Sequence, residues 1–363
     1  MQKQKIIISC GGTGGHIFPA LEIAKSLKSQ NQNLEVLFVG ALGKMEMITV
    51  PKNGFSIIGL WIQGIYRNSI FKNLLLPLKL FISVLHAFYI IIVHRPSAVI
   101  GTGGFASGPM LFVASFFNFN TYIQEQNSYA GLTNKLLSKW VSKIFVSHVG
   151  MDKFFPKSKI INFGNPVRVE LNNPKKNQLD ALRFFSLQEH KVTVLVVGGS
   201  LGAEPINQSI CKNLEFLKHK NVQFIWQTGS LHYLKYMNLQ SSTCVIYKFI
   251  DRMDMAYLAA DIVISRAGAI AISEICFLSK ASILIPSPHV TDDHQTINAK
   301  YLLDNNACLM VHEKNIDKHI IENIIKLKDD EIREDMGRKA KSLFQYNASN
   351  DIARFILKDI DKY

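Results

Sequence analysis

The stretch CGGTGGHIFPA at residues 10–20 directly follows a short apolar run, KIIIS, at residues 5–9. A second stretch of the same kind, VTVLVVGGSLGA, lies at residues 192–203. In both, a run rich in β-branched residues is typical of a buried strand, and the small residues after it open a helix. Further strands alternate with helical segments after each start, which predicts parallel sheets with helices on both faces. The sequence therefore predicts two doubly wound α/β domains.

The segment FGNPVRVELNNPKKNQ at residues 163–178 marks the predicted boundary, because it is rich in Asn and Pro and lacks apolar periodicity. We place the first domain at residues 1–166 and the second at residues 167–344. In open α/β sheets, ligands bind outside the carboxyl ends of the strands. The cleft between the two domains is therefore the predicted site.

Composition and charge narrow the class of partner. The 363 residues carry a formal net charge of +13, which favours anionic partners such as phosphorylated molecules or an acidic membrane surface. The lysines are spread along the chain and no nucleic-acid-binding pattern occurs, so we expect no nucleic acid partner. The five cysteines are widely spaced and lack a CxxC pair, which predicts neither disulfides nor a zinc site and fits a reducing compartment. No signal-peptide pattern precedes the first strand, which predicts a cytoplasmic protein.

One segment raises the question of a membrane. Residues 74–93, LLLPLKLFISVLHAFYIIIV, are almost continuously apolar, as a transmembrane helix would be. Pro77, Lys79, Ser83 and His86 interrupt the run. Three alternatives stay open: a core helix with an exposed apolar rim, a helix that docks on a membrane surface, and a spanning helix.

The first glycine loop is a poor dinucleotide site, because Ile17 stands where the G-x-G-x-x-G fingerprint needs its third glycine. Its backbone N–H groups and helix N-terminus suit an anionic or hydroxyl-rich ligand. His16 lies where the loop becomes the helix, either as a chemical group or as a helix-start histidine bonded to the backbone. A second loop, GTGGFASGP at residues 101–109, predicts a wide backbone-lined pocket with the first, or else only a tight turn.

The second half contains a candidate diphosphate site. The segment SRAGAIAISE at residues 265–274 follows a strand, and its small residues let a ligand approach a helix N-terminus. Glu274 lies two turns into that helix, where a carboxylate can accept hydrogen bonds from ribose hydroxyls. No Asp-x-Asp motif follows a strand, so we expect no metal, and a helix dipole and the arginines Arg168 and Arg266 would stabilise a diphosphate leaving group.

The helix after EQNSYAG carries two neighbouring rows of residues at i, i+4 spacing, one cationic and one apolar. They are Lys135, Lys139 and Lys143, and Leu132, Leu136 and Trp140. This pattern suits docking on an anionic membrane, and a solvated face beside a core face is the alternative.

Seven segments, in this order and spacing, resemble the family of GT-B glycosyltransferases that add GlcNAc to lipid I. They are GGTGGHIFPA, GTGGFASGP, EQNSYAGLTNK, FGNPVR, GGSLGA, SRAGAIAISE and DDHQTINA. The resemblance spans roughly residues 5–300 and implies two Rossmann-like domains with an inter-domain cleft. It also implies that the C-terminal helix at 345–363 packs back on the first domain.

The resemblance implies a reaction. GlcNAc is transferred with inversion from UDP-GlcNAc to the C4 hydroxyl of MurNAc in undecaprenyl-pyrophosphoryl-MurNAc-pentapeptide (lipid I), which gives lipid II for peptidoglycan synthesis. No cofactor and no metal are expected. The family also implies a peripheral location on the cytoplasmic face of the plasma (inner) membrane, and association with other cell-wall synthesis or division proteins.

Residues at matching positions take the family's roles. The donor would contact Thr13, Gly14, Gly15, Asn127, Arg168, Ser200, Ile250, Ala269, Ile270, Ala271, Ile272, Ser273, Glu274, Gln295 and Asn298. The acceptor diphosphate would lie at Gly103, Gly104 and Ser107. The membrane-facing residues would be Leu78, Phe81, Leu85, Lys135, Lys139 and Trp140. We take His16 as the general base, because histidine titrates near neutral pH.

The sequence departs from the family at two positions. Leu201 stands where members often have Gln, and Ala271 stands where they often have Thr. Each change removes a side-chain hydrogen bond, so diphosphate binding would depend more on backbone amides. Two other functions stay open: a sugar-nucleotide epimerase of the same fold, and a non-catalytic glycolipid-binding membrane protein.

Overall fold

The computed structural model describes residues 4–64, 70–171, 175–290, 293–344 and 347–361. Contacts within the chain divide it into two compact units. Unit 1 contains the residues up to Val167 together with the C-terminal helix, and unit 2 is Arg168–Phe344. Residues 172–174, inside the predicted boundary segment, lie outside the described residues.

The described part of unit 1 forms a seven-stranded parallel sheet in the order β3-β2-β1-β4-β5-β6-β7. Its strands are β1 (Lys5–Ser9), β2 (Glu35–Ala41), β3 (Ser56–Leu60), β4 (Ala98–Gly101), β5 (Asn120–Glu125), β6 (Lys143–Val146) and β7 (Ile160–Asn162). The helices between them are α1 (Gly14–Gln30), α2 (Glu46–Lys52), α3 (Ile70–Asn73), α4 (Leu76–His94), α5 (Ser107–Phe116) and α6 (Leu132–Leu137). The prediction of two i, i+4 rows on one helix is wrong, because α6 ends before Lys139 and Trp140 and Lys143 begins β6. The strand order reverses between β1 and β4, so the loops that follow these two strands meet at a switch point.

The described part of unit 2 forms a six-stranded parallel sheet in the order β10-β9-β8-β11-β12-β13. Its strands are β8 (Val192–Val197), β9 (Val222–Gln227), β10 (Cys244–Tyr247), β11 (Ile262–Ser265), β12 (Ala281–Leu284) and β13 (Leu309–Met310). Its helices are α7 (Gln178–Phe184), α8 (Glu204–His219), α9 (Tyr233–Tyr236), α10 (Met253–Ala259), α11 (Ala269–Phe277), α12 (His294–Asp304), α13 (Ile316–Lys326) and α14 (Asp330–Ser342). The switch point here lies between β8 and β11. The predicted fold class, two doubly wound parallel-sheet α/β domains, is confirmed.

Both sheets are covered on their two faces, which explains the continuous apolar runs in their strands. Ile6 and Ile8 of β1 face one core of unit 1, and Ile7 faces the other, and all three are fully buried. The side chains of a strand alternate between faces, so a strand with helices on both sides needs apolar residues at every position.

The last helix, α15 (Ala348–Ile360), packs against α1 of unit 1. Ile352, Ala353 and Ile356 are fully buried in the same core as β1. The Tyr122 hydroxyl of β5 donates to Asp359 Oδ2 at 2.7 Å. These contacts make α15 part of the unit 1 core. Residues 345, 346, 362 and 363 of the predicted C-terminal helix lie outside the described residues.

Helix α4 packs on unit 1 along one narrow face. Ser83, Ala87, Ile90 and Ile91 are buried, and the Ser83 hydroxyl donates to Trp61 O at 3.2 Å. The helix is long and apolar enough to cross a membrane by length and composition, with 22% of its apolar window buried. A narrow packed face with an exposed apolar remainder is the arrangement that the first two of the three sequence-based alternatives predict.

We expect Ile356→Ala to lower the free energy of unfolding by about 3 kcal/mol, because it opens a cavity between α15 and α1. Urea titrations followed by circular dichroism measure this loss. Arg354→Ala on the same helix is the matched control, because its side chain is 71% exposed and pairs only with Asp351 among the contacts described for it. Equal stability of the two variants would show that α15 is not part of the core.

Candidate active site

The first glycine loop turns the chain from β1 into α1. Thr13 is the N-cap of the helix, and its carbonyl accepts the backbone N–H groups of His16 and Ile17 at 3.0 and 3.2 Å. Gly14 and Gly15 therefore form the first turn of α1, where backbone N–H groups lack an intrahelical acceptor. This is the geometry that binds an anion or a polar ligand.

His16 uses one ring nitrogen to bond the backbone. Its Nδ1 lies 3.1 Å from Gly11 O and 3.3 Å from the Thr13 hydroxyl oxygen. A hydroxyl can accept or donate, but a carbonyl oxygen only accepts, so the shorter contact favours the neutral tautomer with the proton on Nδ1 and the lone pair on Nε2. The Thr102 hydroxyl donates to His16 O at 2.8 Å and fixes the backbone of the same residue. The two sequence-based alternatives for His16 therefore do not exclude each other. Nδ1 bonds the backbone, and Nε2 is suited to accept a proton.

The second glycine loop lies directly against the first. A Cβ at Gly104 would stand 2.2 Å from Gly11 O, and a Cβ at Gly103 would stand 3.0 Å from His16 Nε2. Both glycines also have positive φ, 102° and 82° for Gly103 and Gly104. The structure therefore brings Thr13, the two glycine loops and His16 together at the unit 1 switch point. The close approach of the two loops also explains why glycine is required at positions 103 and 104, independently of the predicted role of these residues at the acceptor diphosphate.

Ser107 closes the second loop. It is fully buried, and its hydroxyl donates to Gly104 O at 2.8 Å. Its predicted contact to the acceptor diphosphate would require this hydroxyl to change partner.

Asn127 is held at the end of β5 by a buried carboxylate that sequence reasoning did not assign. Glu125 is 1% exposed, and its Oε1 accepts the backbone N–H of Asn127 at 3.1 Å and the Asn127 amide at 3.3 Å. Its Oε2 accepts from Gly131 N–H at 2.9 Å and from the Asn134 amide at 2.8 Å. The signal in the sequence was the acidic residue at the very end of a buried strand.

In unit 2 the predicted ribose ligand, Glu274, is paired with an arginine. Glu274 is 3% exposed, and Arg168 donates to it in bidentate fashion, Nε to Oε1 at 2.7 Å and Nη2 to Oε2 at 2.9 Å. The Tyr257 hydroxyl donates to Oε2 at 3.2 Å. Burial and the Glu274 charge raise the Tyr257 pKa well above its ordinary value. A carboxylate offers about four acceptor positions, and these three hydrogen bonds occupy most of them. Glu274 therefore has little capacity left to accept from a ribose hydroxyl unless a partner moves.

The helix that carries Glu274 begins at Ala269, after the N-cap Gly268. Ile270 and Ile272 are buried in the core, so only their backbone faces a ligand at this helix N-terminus. The Ser273 hydroxyl donates to Ala269 O at 2.9 Å, and Ala271 is half-buried.

Gln227, which was not foreseen from the sequence, links the predicted donor-binding residue Ile250 to Gly199, the neighbour of the predicted residue Ser200. Its Oε1 accepts the backbone N–H of Ile250 at 2.9 Å, and its Nε2 donates to Gly199 O at 3.0 Å. Ile250 is 3% exposed, and the carbonyl of Ser200 accepts the backbone N–H of Ser230 at 3.0 Å. The loop after β8 and the segment after β10 are thereby held together.

The polar residues after β12 bond the backbone of unit 2. Gln295 Oε1 accepts the Ser287 N–H at 2.9 Å, and the buried Asn298 amide lies 3.3 Å from Ala267 O. Asp292 of the DDHQTINA segment lies outside the described residues.

The guanidinium group of Arg266 bonds other groups of unit 2. Its Nη1 donates to Ile285 O and Pro286 O at 3.1 and 3.2 Å, and its Nη2 pairs with Glu313. Of the two arginines predicted to stabilise a diphosphate, Arg168 therefore pairs with a residue predicted to bind UDP-GlcNAc, Glu274, whereas Arg266 pairs with Glu313. Across the ranges that the structure describes, no group of three or more His, Cys, Asp and Glu side chains is placed to hold a metal ion.

The fold and the two strand-end loops are those of a GT-B protein, and comparison with known proteins identifies it as a glycosyltransferase. Residues 6–146 match the glycosyltransferase family 28 N-terminal domain, and residues 193–353 match the glycosyltransferase family 28 C-terminal domain. The chain belongs to this family.

Full-length relatives show which enzymes of this family the chain resembles. A protein of Flavobacterium psychrophilum is 46% identical over 365 residues, 99% of each chain, and one of Parabacteroides distasonis is 46% identical over 367 residues, 100% of each. Both are named UDP-N-acetylglucosamine--N-acetylmuramyl-(pentapeptide) pyrophosphoryl-undecaprenol N-acetylglucosamine transferase. The crystal structure of Acinetobacter baumannii MurG superposes with a TM-score of 0.73 at 28% identity, covering 98% of this chain and 99% of that one. The resemblance stated from the sequence is confirmed.

We expect Arg168→Ala to destabilise unit 2 by about 3 kcal/mol, because it leaves the Glu274 carboxylate buried without its cation. Urea unfolding of the variant measures the loss. Arg183→Ala is the control, since that side chain is 70% exposed and its contact to Glu189 is long, 3.7 Å. Unchanged stability of Arg168→Ala would mean that water or another group replaces the guanidinium.

Proposed function

We propose that this protein transfers GlcNAc from UDP-GlcNAc to the C4 hydroxyl of MurNAc in lipid I, forming lipid II with inversion at the anomeric carbon. The observation that carries the proposal is the 46% identity over 99% of both chains with a transferase of that name. The epimerase and the non-catalytic glycolipid-binding protein do not explain full-length identity at this level with these transferases.

Unit 1 supplies the acceptor side of the proposed reaction. The C4 hydroxyl attacks the anomeric carbon, and His16 Nε2 takes its proton as general base. The Nδ1 contact to Gly11 O at 3.1 Å supports this role, because it leaves the lone pair on Nε2. Gly103 lies beside the ring and Gly104 lies against Gly11, and their backbone would meet the acceptor diphosphate there.

Unit 2 supplies most of the donor side. The N-terminus of α11 and the glycine loop after β8 present backbone amides to the diphosphate, and the helix dipole favours the charge that develops on UDP. Arg168 adds a cation, and Glu274 beside it would accept from the ribose hydroxyls. Ile250 would lie by the uracil, and Gln295 and Asn298 would read the GlcNAc hydroxyls.

The remaining donor contacts come from the resemblance. Thr13, Gly14, Gly15 and Asn127 belong to unit 1, and Ser200 belongs to the loop after β8. Leu201, which replaces the Gln frequent in the family, is 61% exposed, so its side chain adds apolar surface where a hydrogen bond is lost.

An apolar surface on unit 1 supports peripheral binding to the cytoplasmic leaflet of the plasma membrane. Leu78, Phe81 and Leu85 of α4 are 49%, 61% and 53% exposed. Trp140, 59% exposed, packs edge-to-face on Phe112 of α5 at 6.0 Å between ring centroids. Exposed apolar area of this extent is typical of an interaction surface.

Two lysines border this surface in different ways. Lys139 is exposed and suits an anionic headgroup. Lys135 Nζ instead lies 3.8 Å from the centre of the Tyr129 ring, a cation–π contact that holds it on the protein. Association with other cell-wall synthesis or division proteins stays a prediction.

Transfer of radiolabelled GlcNAc from UDP-GlcNAc to a lipid I analogue tests the proposed reaction. We expect His16→Ala to lower kcat by about 10²–10⁴-fold, the usual contribution of a general base, while KM for UDP-GlcNAc changes little. His190→Ala is the control, because that side chain is exposed on unit 2. Near-full kcat in His16→Ala would exclude His16 as the base, and no transfer by the wild type would exclude the function.

Sedimentation with anionic phospholipid vesicles tests the membrane proposal. We expect Phe81→Glu to weaken binding about tenfold, because a charge replaces a side chain whose burial contributes about 2 kcal/mol. Phe216→Glu, on α8 of unit 2, is the matched control, because Phe216 is 47% exposed. Equal vesicle binding of the two variants would place the docking surface elsewhere.

A further inference from the structure

A fully buried carboxylate lies beneath the first glycine loop. Glu46 begins α2, and its side chain is 0% exposed. Its Oε1 accepts the backbone N–H of Ala41 at 3.0 Å, and the backbone N–H of Gly12 is shared between Oε2 at 3.1 Å and Oε1 at 3.3 Å. An ionised carboxyl group is expensive to bury unless donors surround it, and here the loop's own amides are those donors.

The loop is built around this carboxylate. A Cβ at Gly11 would stand 2.7 Å from Glu46 Oε1, and a Cβ at Gly40 would stand 2.5 Å from Glu46 Cγ. Glycine at these two positions therefore makes room for Glu46. Burial and the nearby Glu46 charge also raise the pKa of the Cys10 thiol.

One peptide group connects Glu46 to His16. The Gly12 N–H that donates to Glu46 and the Gly11 carbonyl that accepts from His16 Nδ1 belong to the same planar unit. In a trans peptide the N–H and the C=O point in opposite directions, so fixing one end fixes the other. Glycine on both sides of this peptide makes a flip sterically easy, and Gly12 already has φ 89°.

A flip of this peptide would reverse the hydrogen bonding at both ends. The Gly11 carbonyl would face the Glu46 carboxylate, which cannot donate, and the Gly12 N–H would face His16 Nδ1. That nitrogen would then accept, and the ring proton would move to Nε2. A ring protonated at Nε2 cannot take a proton there.

We infer that Glu46 is a positioning residue that keeps His16 in its proton-accepting tautomer by fixing the orientation of the Gly11–Gly12 peptide. The inference rests on the proposed role of His16 as the general base. Glu46 itself contacts neither substrate nor reacting atoms in this scheme, and it acts through one peptide group.

Glu46→Gln is the informative variant. If the Gln oxygen keeps the Ala41 N–H, its NH₂ group takes the Oε2 position and faces the Gly12 N–H. The Gly12 N–H then loses its 3.1 Å acceptor and keeps only the longer 3.3 Å contact, which favours the flipped peptide. We expect kcat for GlcNAc transfer to fall at least about tenfold, within the range of general-base catalysis, with KM for UDP-GlcNAc unchanged within about twofold.

The tautomer is read directly by NMR of protein with ¹⁵N-labelled histidine, at about pH 8.5 where an ordinary histidine is neutral. His16→Ala assigns the signal among the 11 histidines. We expect protonated Nδ1 in the wild type, and protonated Nε2 or a mixture in Glu46→Gln. A loss of stability alone would not change which ring nitrogen of His16 carries the proton.

Glu22→Gln is the matched control, because Glu22 is also a buried glutamate of unit 1, 4% exposed, and pairs with Lys25 along α1. We expect it to keep the wild-type kcat and the wild-type His16 signal. If Glu46→Gln also keeps both, the inference is wrong while the proposed function stands.

The wild type alone also tests the inference, so it does not depend on the folding of Glu46→Gln. Protonated Nε2 in wild-type His16 overturns it without any variant. If the wild type transfers no GlcNAc, the proposed function fails, and the His16 signal in the two glutamate variants still decides whether Glu46 sets the tautomer.

Discussion

The close approach of two glycine loops at the unit 1 switch point is the constraint on which the candidate site depends. Any side chain at Gly104 would collide with Gly11 O, which a Cβ would meet at 2.2 Å. Because β1 and β4 are adjacent parallel strands, their carboxyl ends deliver both loops to one place. His16 lies in the first turn of α1 with its ring against Gly103, and the surrounding backbone fixes where its two nitrogens lie.

Unit 2 has a similar close approach of loops, but between β8 and its neighbour β9, on the other side of β8 from the switch point. A Cβ at Gly202 would stand 2.1 Å from Thr228 O, and one at Gly229 would stand 2.1 Å from Gly202 N. The loops after β8 and β9 therefore approach as closely as those of unit 1. In both units, glycine is required by backbone contact between loops, and the amides that remain at the helix N-terminus are the part available to a ligand.

The sequence predicts the architecture well because the signal is local. A run of β-branched residues, a glycine turn and a helical segment lie within about 20 residues, and their repetition defines parallel sheets. It also predicts the position of His16 beside the glycine loops, since the histidine lies inside the loop motif, and the role of His16 as the base stays a prediction. The Arg168–Glu274 pair was harder, because 106 residues separate its members and each was assigned to the ligand. Lys135 was read as a membrane cation, although Tyr129, six residues before it, turns out to hold its ammonium group.

The burial of three glutamates and their partners inside the protein could not be read from the sequence. Glu46, Glu125 and Glu274 are 0%, 1% and 3% exposed in a chain with a net charge of +13. The first two accept backbone or amide N–H groups of a strand-end loop, and the third binds a guanidinium. A carboxylate only accepts, so a loop that depends on one cannot exchange its N–H and C=O directions without leaving a buried charge unsatisfied. Glycine-rich loops are flexible by composition. A buried group that can only accept hydrogen bonds restricts such a loop to one conformation from beneath, and it leaves the outer face of the loop available to a ligand.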